Sequence, residues 1–151
     1  MTGAVVRRAT RADVPAIIGL LTDDPLGATR ETHGDDAAYL KAFEAIDADP
    51  AHELVVLDDE GEVIGTLQLT LLPGLSRGGA LRAQVEGVRV ASSRRGQGLG
   101  EGLFQWAIEE SQRRGAVILQ LTTDTSREGA HRFYERLGFV ASHVGMKLPL
   151  S

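Results

Sequence analysis

The stretch "VRVASSRRGQGLGEGLF", Val88 to Phe104, constrains the fold more than any other in the chain. It opens with the alternation of a β-strand, turns through Arg94, Arg95, Gly96, Gly98 and Gly100, and continues as an amphipathic helix. In that helix Leu99, Leu103 and Ala107 form one row, with Phe104 and Ile108 beside them. Gly115 is its natural stop, and "AVILQLT" (Ala116–Thr122) follows as a continuous apolar run, as expected of a strand covered on both faces. Strand, helix and strand in that order make a crossover unit, the signature of a mixed α/β domain. A helix N-terminus leaves its first amides unpaired and carries partial positive charge, so a glycine-lined approach lets an anion, typically phosphate, reach the backbone. Gly96, Gly98 and Gly100 remove obstructing side chains, and Arg94 and Arg95 add charge. The corner therefore reads as a pyrophosphate cradle, against the alternative of a turn that needs glycine for conformation alone. It is neither a P-loop, since no Lys-Ser/Thr pair stands at the required place, nor a dinucleotide fingerprint, since the glycine spacing and the position after a fourth strand are wrong.

The remaining elements follow from period and punctuation. "AVVRRA" (Ala4–Ala9) is a first strand, Thr10 an N-cap with Asp13 as its capping-box partner, and residues 11–22 a helix with Pro15 near its start. "DDPLGATRETHGDD" (Asp23–Asp36) has loop chemistry, and Ala37–Ile46 places Tyr39, Leu40, Phe43 and Ile46 on one helical stripe. "HELVVLDDEGEVIGTLQLTLLPG" is a β-hairpin turning around Asp58 to Gly61. Arg82–Val90 is a fourth strand interrupted by Gly87, where a bulge is expected. Arg127–Leu137 is a last helix stopped by Gly138, and "FVASHVGMKLPL" closes the chain as one or two strands.

At 151 residues, 42% hydrophobic and 25% charged, the chain suits a single domain, 1–151, with a proper core. No apolar run approaches the roughly 20 residues of a membrane span, and the N-terminus lacks the apolar core of a signal peptide. A cytoplasmic protein without membrane partners is expected. The absence of cysteine excludes thiol nucleophiles and Cys-based zinc sites, and His33, His52, His131 and His143 show no ligand spacing, so no metal is expected. A net charge of −5 argues against nucleic acid as the main partner and suits a cationic or neutral substrate.

The corner resembles the acetyl-CoA motif of the GNAT superfamily of N-acetyltransferases. Its Arg/Gln-x-x-Gly-x-Gly/Ala pattern is met by Arg95, Gly98 and Gly100, preceded by the Val-x-Val strand of Val88 and Val90. Downstream, "AHRFYERLGF" (Ala130–Phe139) is similar to the superfamily's Ala-x-x-x-Tyr-x-x-x-Gly-Phe. The resemblance covers the chain from first strand to last. It implies the GNAT fold, a twisted mixed sheet of about six to seven strands with about four helices, splayed between strands 4 and 5. It further implies that acetyl-CoA's pantetheine pairs with the Val88–Val90 backbone as an added strand, while Arg95, Gly96, Gln97, Gly98, Leu99 and Gly100 hold the diphosphate. Many members carry an Asn where this chain has Arg127, which is left either to reach the cofactor or to cap a helix; Ser92 replaces a common Pro.

Acetyl transfer to an amine needs an uncharged nitrogen and an acid for the departing thiolate. Glu86, before Gly87, is the candidate base, against the alternative of an exposed strand carboxylate. Tyr134, at the motif's Tyr, is the candidate acid, although a phenol near about 10 donates uphill to a thiol near about 8.5. The Val90 N–H would polarise the thioester carbonyl. Asp23, Asp24, Glu31, Asp35 and Asp36, with His33, lie where the resemblance sets one wall of the acceptor site, where the acids either attract a cationic amine or are simply solvated at helix ends and loops; "PGLSRGG" (Pro73–Gly79) would form the other, and Trp106 is read as packing. The expected function is acetylation of a primary amine on a small molecule by direct attack in a ternary complex. Alternatives are acetylation of a protein N-terminus or lysine, or an idle acyl-CoA sensor module. Family members are often homodimers.

Overall fold

A computed structural model describes residues 3–23, 25–31 and 36–151. The expected contributions of Asp24, His33 and Asp35 lie outside these residues. A five-stranded sheet runs in the order β1-β2-β3-β4-β5, with β1 (Val5–Arg8), β2 (His52–Asp59), β3 (Glu62–Leu72), β4 (Arg82–Val90) and β5 (Ile118–Gln120). The first four are antiparallel neighbours, and β5 joins β4 in parallel. The β4–β5 connection is the crossover through helix α5 (Leu99–Arg113).

Both faces of the sheet are covered, which explains the unbroken apolar run in β2. Side chains alternate across a strand, so Val55 and Leu57 face one side while Val56 faces the other. On the first side they join Ile64, Leu69, Val85 and the α5 residues Leu103, Phe104 and Ala107. On the second, Val56 packs with Ala9, Val14 and Ile17 of helix α1 (Val14–Thr22) and Phe43 of helix α3 (Ala37–Ala48). α5 approaches β3 so closely that a Cβ on Gly65 would lie 3.2 Å from both the Arg89 carbonyl and Leu103 Cδ1. Helix α6 (Glu128–Arg136) sets Phe133 and Tyr134 edge-on against Phe104, at centroid distances of 5.7 and 5.4 Å. Trp106 packs partly buried against the same core, as expected.

The entry into α1 is fixed locally. Thr10 and Asp13 form the capping box, followed by a 3-10 turn (Arg11–Asp13), and Arg7 closes over Asp13 with bonds of 2.8 and 2.9 Å. Arg7 also donates to Asp58 of β2 at 2.7 Å, so one guanidinium ties strand, cap and hairpin together.

Three expectations are corrected. The loop after α1 contains a short helix, α2 (Pro25–Arg30). The turn between β3 and β4 holds a brief helical segment, α4 (Ser76–Gly79), with Arg77 and Gly78 in left-handed conformations. Strand pairing on the β5 side is shorter than expected: β5 covers three residues, and residues 140–151 run without a ladder although Gly145 passes close to Thr122. Val140, Val144, Met146, Leu148 and Leu150 alternate as a strand would, but they are exposed, having no neighbouring sheet face to cover them. The sheet thus has five strands rather than six or seven. No helix among the described residues is long and apolar enough to cross a membrane.

Candidate active site

The β4–β5 ladder ends at Gln84 opposite Gln120, and from Val85 to Val90 β4 keeps its β3 partner while β5 no longer pairs with its other edge. This is the splayed opening expected from the sequence. Ala91 N–H donates to Ile64 of β3 at 2.8 Å, so by the alternation of an antiparallel strand the Val90 N–H is directed the other way, into the opening. The Val88 carbonyl accepts a bond of 2.8 Å from the Arg89 guanidinium, which a ligand strand pairing there would have to displace.

Gly87 sits at a bulge. Thr66 faces Arg89 and Gln68 faces Glu86, so β4 has one more residue than β3 between those pairs. Gly87 absorbs it at φ +62°, a left-handed conformation that costs an L side chain about 1–2 kcal/mol. Glu86 consequently lines a cleft of about 190 Å³ between the sheet and helices α1 and α3. Its carboxylate accepts a bond of 2.7 Å from Gln84, whose own carbonyl accepts from Gln120 at 2.9 Å. This amide chain was not foreseen, because it depends on the β4–β5 register.

Leu21 of α1 and Phe43 of α3 stand in the wall of the cleft, and Tyr39 at its side donates to Glu31 at 2.8 Å. Asp23, one of the acids near the expected acceptor wall, accepts the Ser92 N–H at 3.1 Å, and its carbonyl takes Arg95 at 3.4 Å. It thereby clamps the end of α1 to the start of the glycine corner.

At that corner a Cβ on Gly96 or Gly98 would meet nothing within 4 Å. Gly98, at φ +76°, is the N-cap of α5, whose first amides open toward the same free space. The residues Arg95 to Gly100 therefore fit a diphosphate on observed space and polarity. Two details are corrected. Arg94 turns away, donating to Asp59 at 2.7 Å beside Glu62 at 3.6 Å, so of the two arginines only Arg95 stays at the corner. A Cβ on Gly100 would face Phe133 at 3.6 Å and Val90 at 3.9 Å, an ordinary contact; Gly100 contributes backbone and packing rather than open approach.

Tyr134 is half-buried in an aromatic cluster with Phe104, Phe133 and Phe139. Burial pushes its phenol above the usual tyrosine range, opposed by the charges of Arg127 and Arg89. Arg127 occupies the N-cap position of α6, its N–H bonded to the Asp124 carbonyl at 3.0 Å.

The sequence pattern of the Acetyltransferase (GNAT) family matches residues 16–139, spanning the free strand, the glycine corner and the Tyr134 helix. The chain belongs to the GNAT acetyltransferase family. Over 138 residues it is 30% identical to the aminoalkylphosphonate N-acetyltransferase of Salmonella typhimurium, covering 91% of this chain and 86% of that protein. It is 37% identical over 90 residues to the glucosamine 6-phosphate N-acetyltransferase of Trypanosoma brucei brucei, 60% of this chain and 59% of that one. Among solved structures, a protein of Bacillus halodurans described as a transcriptional regulator superposes with a TM-score of 0.94 at 44% identity, covering 97% of this GNAT chain and 99% of the other.

Proposed function

We propose that this GNAT protein transfers the acetyl group of acetyl-CoA to the primary amine of a small molecule by direct attack in a ternary complex. The observation that supports this reading best is the bulge at Gly87. It brings the Glu86 carboxylate to the wall of an apolar cleft beside the stretch of β4 that β5 does not pair and that leads into the glycine corner. The two named relatives both carry names of enzymes that acetylate small amines.

In this mechanism the amides of Arg95 to Gly100 and the Arg95 guanidinium would hold the diphosphate, and the β4 edge at Val88 and Val90 would align the pantetheine arm once the Arg89 guanidinium leaves the Val88 carbonyl. Acetyl-CoA supplies the reactive thioester. Glu86 takes a proton from the bound ammonium, directly or through a water, leaving a lone pair on nitrogen. As the C–N bond forms and the C–S bond breaks, the Val90 N–H stabilises the carbonyl oxygen. Tyr134 gives its proton to the sulfur and is reprotonated by the second proton that nitrogen loses on becoming an amide, while Glu86 releases the first to solvent, so free CoA and an amide leave with no net change in the protein. Arg127, beside the phenol, favours its transient anion.

Titration calorimetry with CoA and acetyl-CoA, followed by thiol release on a panel of primary amines, tests the proposal. Micromolar binding and turnover of at least one small amine are expected. Binding without turnover on any small amine or peptide would instead favour the sensor reading, and acetylation of peptide N-termini or lysines alone would favour the protein substrate.

A further inference from the structure

The cleft beside Glu86 has a lining unlike what a phosphorylated amine needs. α1 supplies Ile17 and Leu21, and α3 supplies Phe43 and Ile46. Among the described residues the only ionisable groups on the lining are the Glu86 carboxylate and the Tyr39 phenol, and Tyr39 brings the Glu31 carboxylate to its side. No cation lines it. The arginines that reach α3, Arg8 and Arg11, are paired with its own Asp47 and Glu44. A phosphate or phosphonate placed there would lose its water without gaining a partner and would face carboxylates. An alkyl or aryl group would gain from the same walls, while its ammonium stays at the carboxylate end.

From this lining we infer that the acceptor is a cationic primary amine with an apolar body, not a phosphorylated or phosphonylated amine. The inference rests on the proposed acetyl transfer and names the substrate class of that same site. Size narrows the class. A cavity of about 150 Å³ takes a benzene ring, so the 190 Å³ here suits one aromatic ring or an alkyl chain of similar bulk. The chemistry requires that the nitrogen end at Glu86 and the body lie between α1 and α3.

The full-length chain is assayed for thiol release with unbranched alkylamines from ethyl to octyl, 2-phenylethylamine, aminomethylphosphonate and glucosamine 6-phosphate. The expected kcat/KM rises about three- to fourfold per methylene until the cavity is filled. The two phosphorus-bearing amines should fall about 10²-fold below hexylamine. Ala42 also lines the cleft from the exposed side of α3, so Ala42→Phe fills space without disturbing the core. It should raise the KM for hexylamine about tenfold and leave the KM for acetyl-CoA unchanged. A second readout is independent of turnover: the reaction product N-hexylacetamide should raise the Tm of the parent chain and not that of the folded Ala42→Phe variant. Preference for aminomethylphosphonate or glucosamine 6-phosphate would overturn the inference and leave acetyl transfer standing. So would acetyl-CoA binding with none of the apolar amines consumed. Failure of acetyl-CoA to bind in calorimetry would remove both.

Discussion

The side-chain amide of Gln84 donates to Glu86 Oε1 at 2.7 Å, one strand position pair below the bulge that turns Glu86 to the cleft. This bond holds one carboxylate oxygen and leaves the other for the substrate. Replacing the acid by its amide keeps the shape and removes the basicity. Glu86→Gln should therefore lower kcat by about 10²- to 10⁴-fold with little change in the KM for acetyl-CoA. A loss below about threefold in steady-state assays would remove Glu86 from the role of base.

Tyr134 offers a cleaner subtraction. Its ring is held by edge-on contacts that phenylalanine would keep, so Tyr134→Phe should fold normally and lose about 10²- to 10⁴-fold in kcat. Because burial raises the phenol above its ordinary value, the neutral form is favoured in the folded state. Its contribution to stability is complete below about pH 10 and declines as pH climbs through the raised value. An alkaline limb in kcat that disappears in the Phe variant would identify the acid; an unchanged limb would assign it elsewhere.

The Arg7–Asp13 pair predicts behaviour at the acid end. The Arg7 guanidinium holds Asp13 down, chiefly through its hydrogen bonds, to about 2 from 3.8. A depressed carboxylate stabilises the fold above the unfolded value and loses that contribution as pH falls through the folded one, here between about 4 and 2. The shift corresponds to about 2 kcal/mol, reduced to about 1 because Arg7 is 36% exposed. Urea titrations from pH 7 to pH 2 should show Asp13→Asn less stable near neutrality, with the gap to the parent closing across that window.

Gly87 links stability to catalysis. Space is not the obstacle, since an added Cβ would lie 3.9 Å from Leu21 Cδ2; the positive φ is. Gly87→Ala should cost about 1–2 kcal/mol, or straighten β4 and swing Glu86 off the cleft. Denaturant unfolding together with kcat checks this. A variant unchanged in both would mean that the bulge does not aim the carboxylate.

Much of this was legible in the sequence because it is local. The Thr10–Asp13 cap, the hairpin, the Gly87 interruption and the strand-corner-helix unit each follow from residues within a turn or two of one another. What escaped depends on partners brought from elsewhere. Arg94 and Arg95 are indistinguishable in a string, and the choice between them is made by Asp59, 35 residues away on the hairpin. Asp23 reads as a loop acid and becomes a clamp only because α1 ends against Ser92. The tail's alternation promised strands, yet alternation states only which faces match, not whether a ladder is offered. The cleft walls are half legible: the Tyr39–Ile46 spacing marks a helix face, but whether part of that face lines an opening or core is decided by how α3 sits against α1.

The edge of β4 that β5 leaves uncovered beyond Gln84 offers main-chain groups to the proposed donor. Where recognition falls to main-chain atoms, substitutions have almost nothing to erase. Under the proposed function, donor handling would thereby be insulated from change in α1 and α3, whose side chains could be exchanged to retarget acetyl transfer toward new amines while its acetyl supply stays the same.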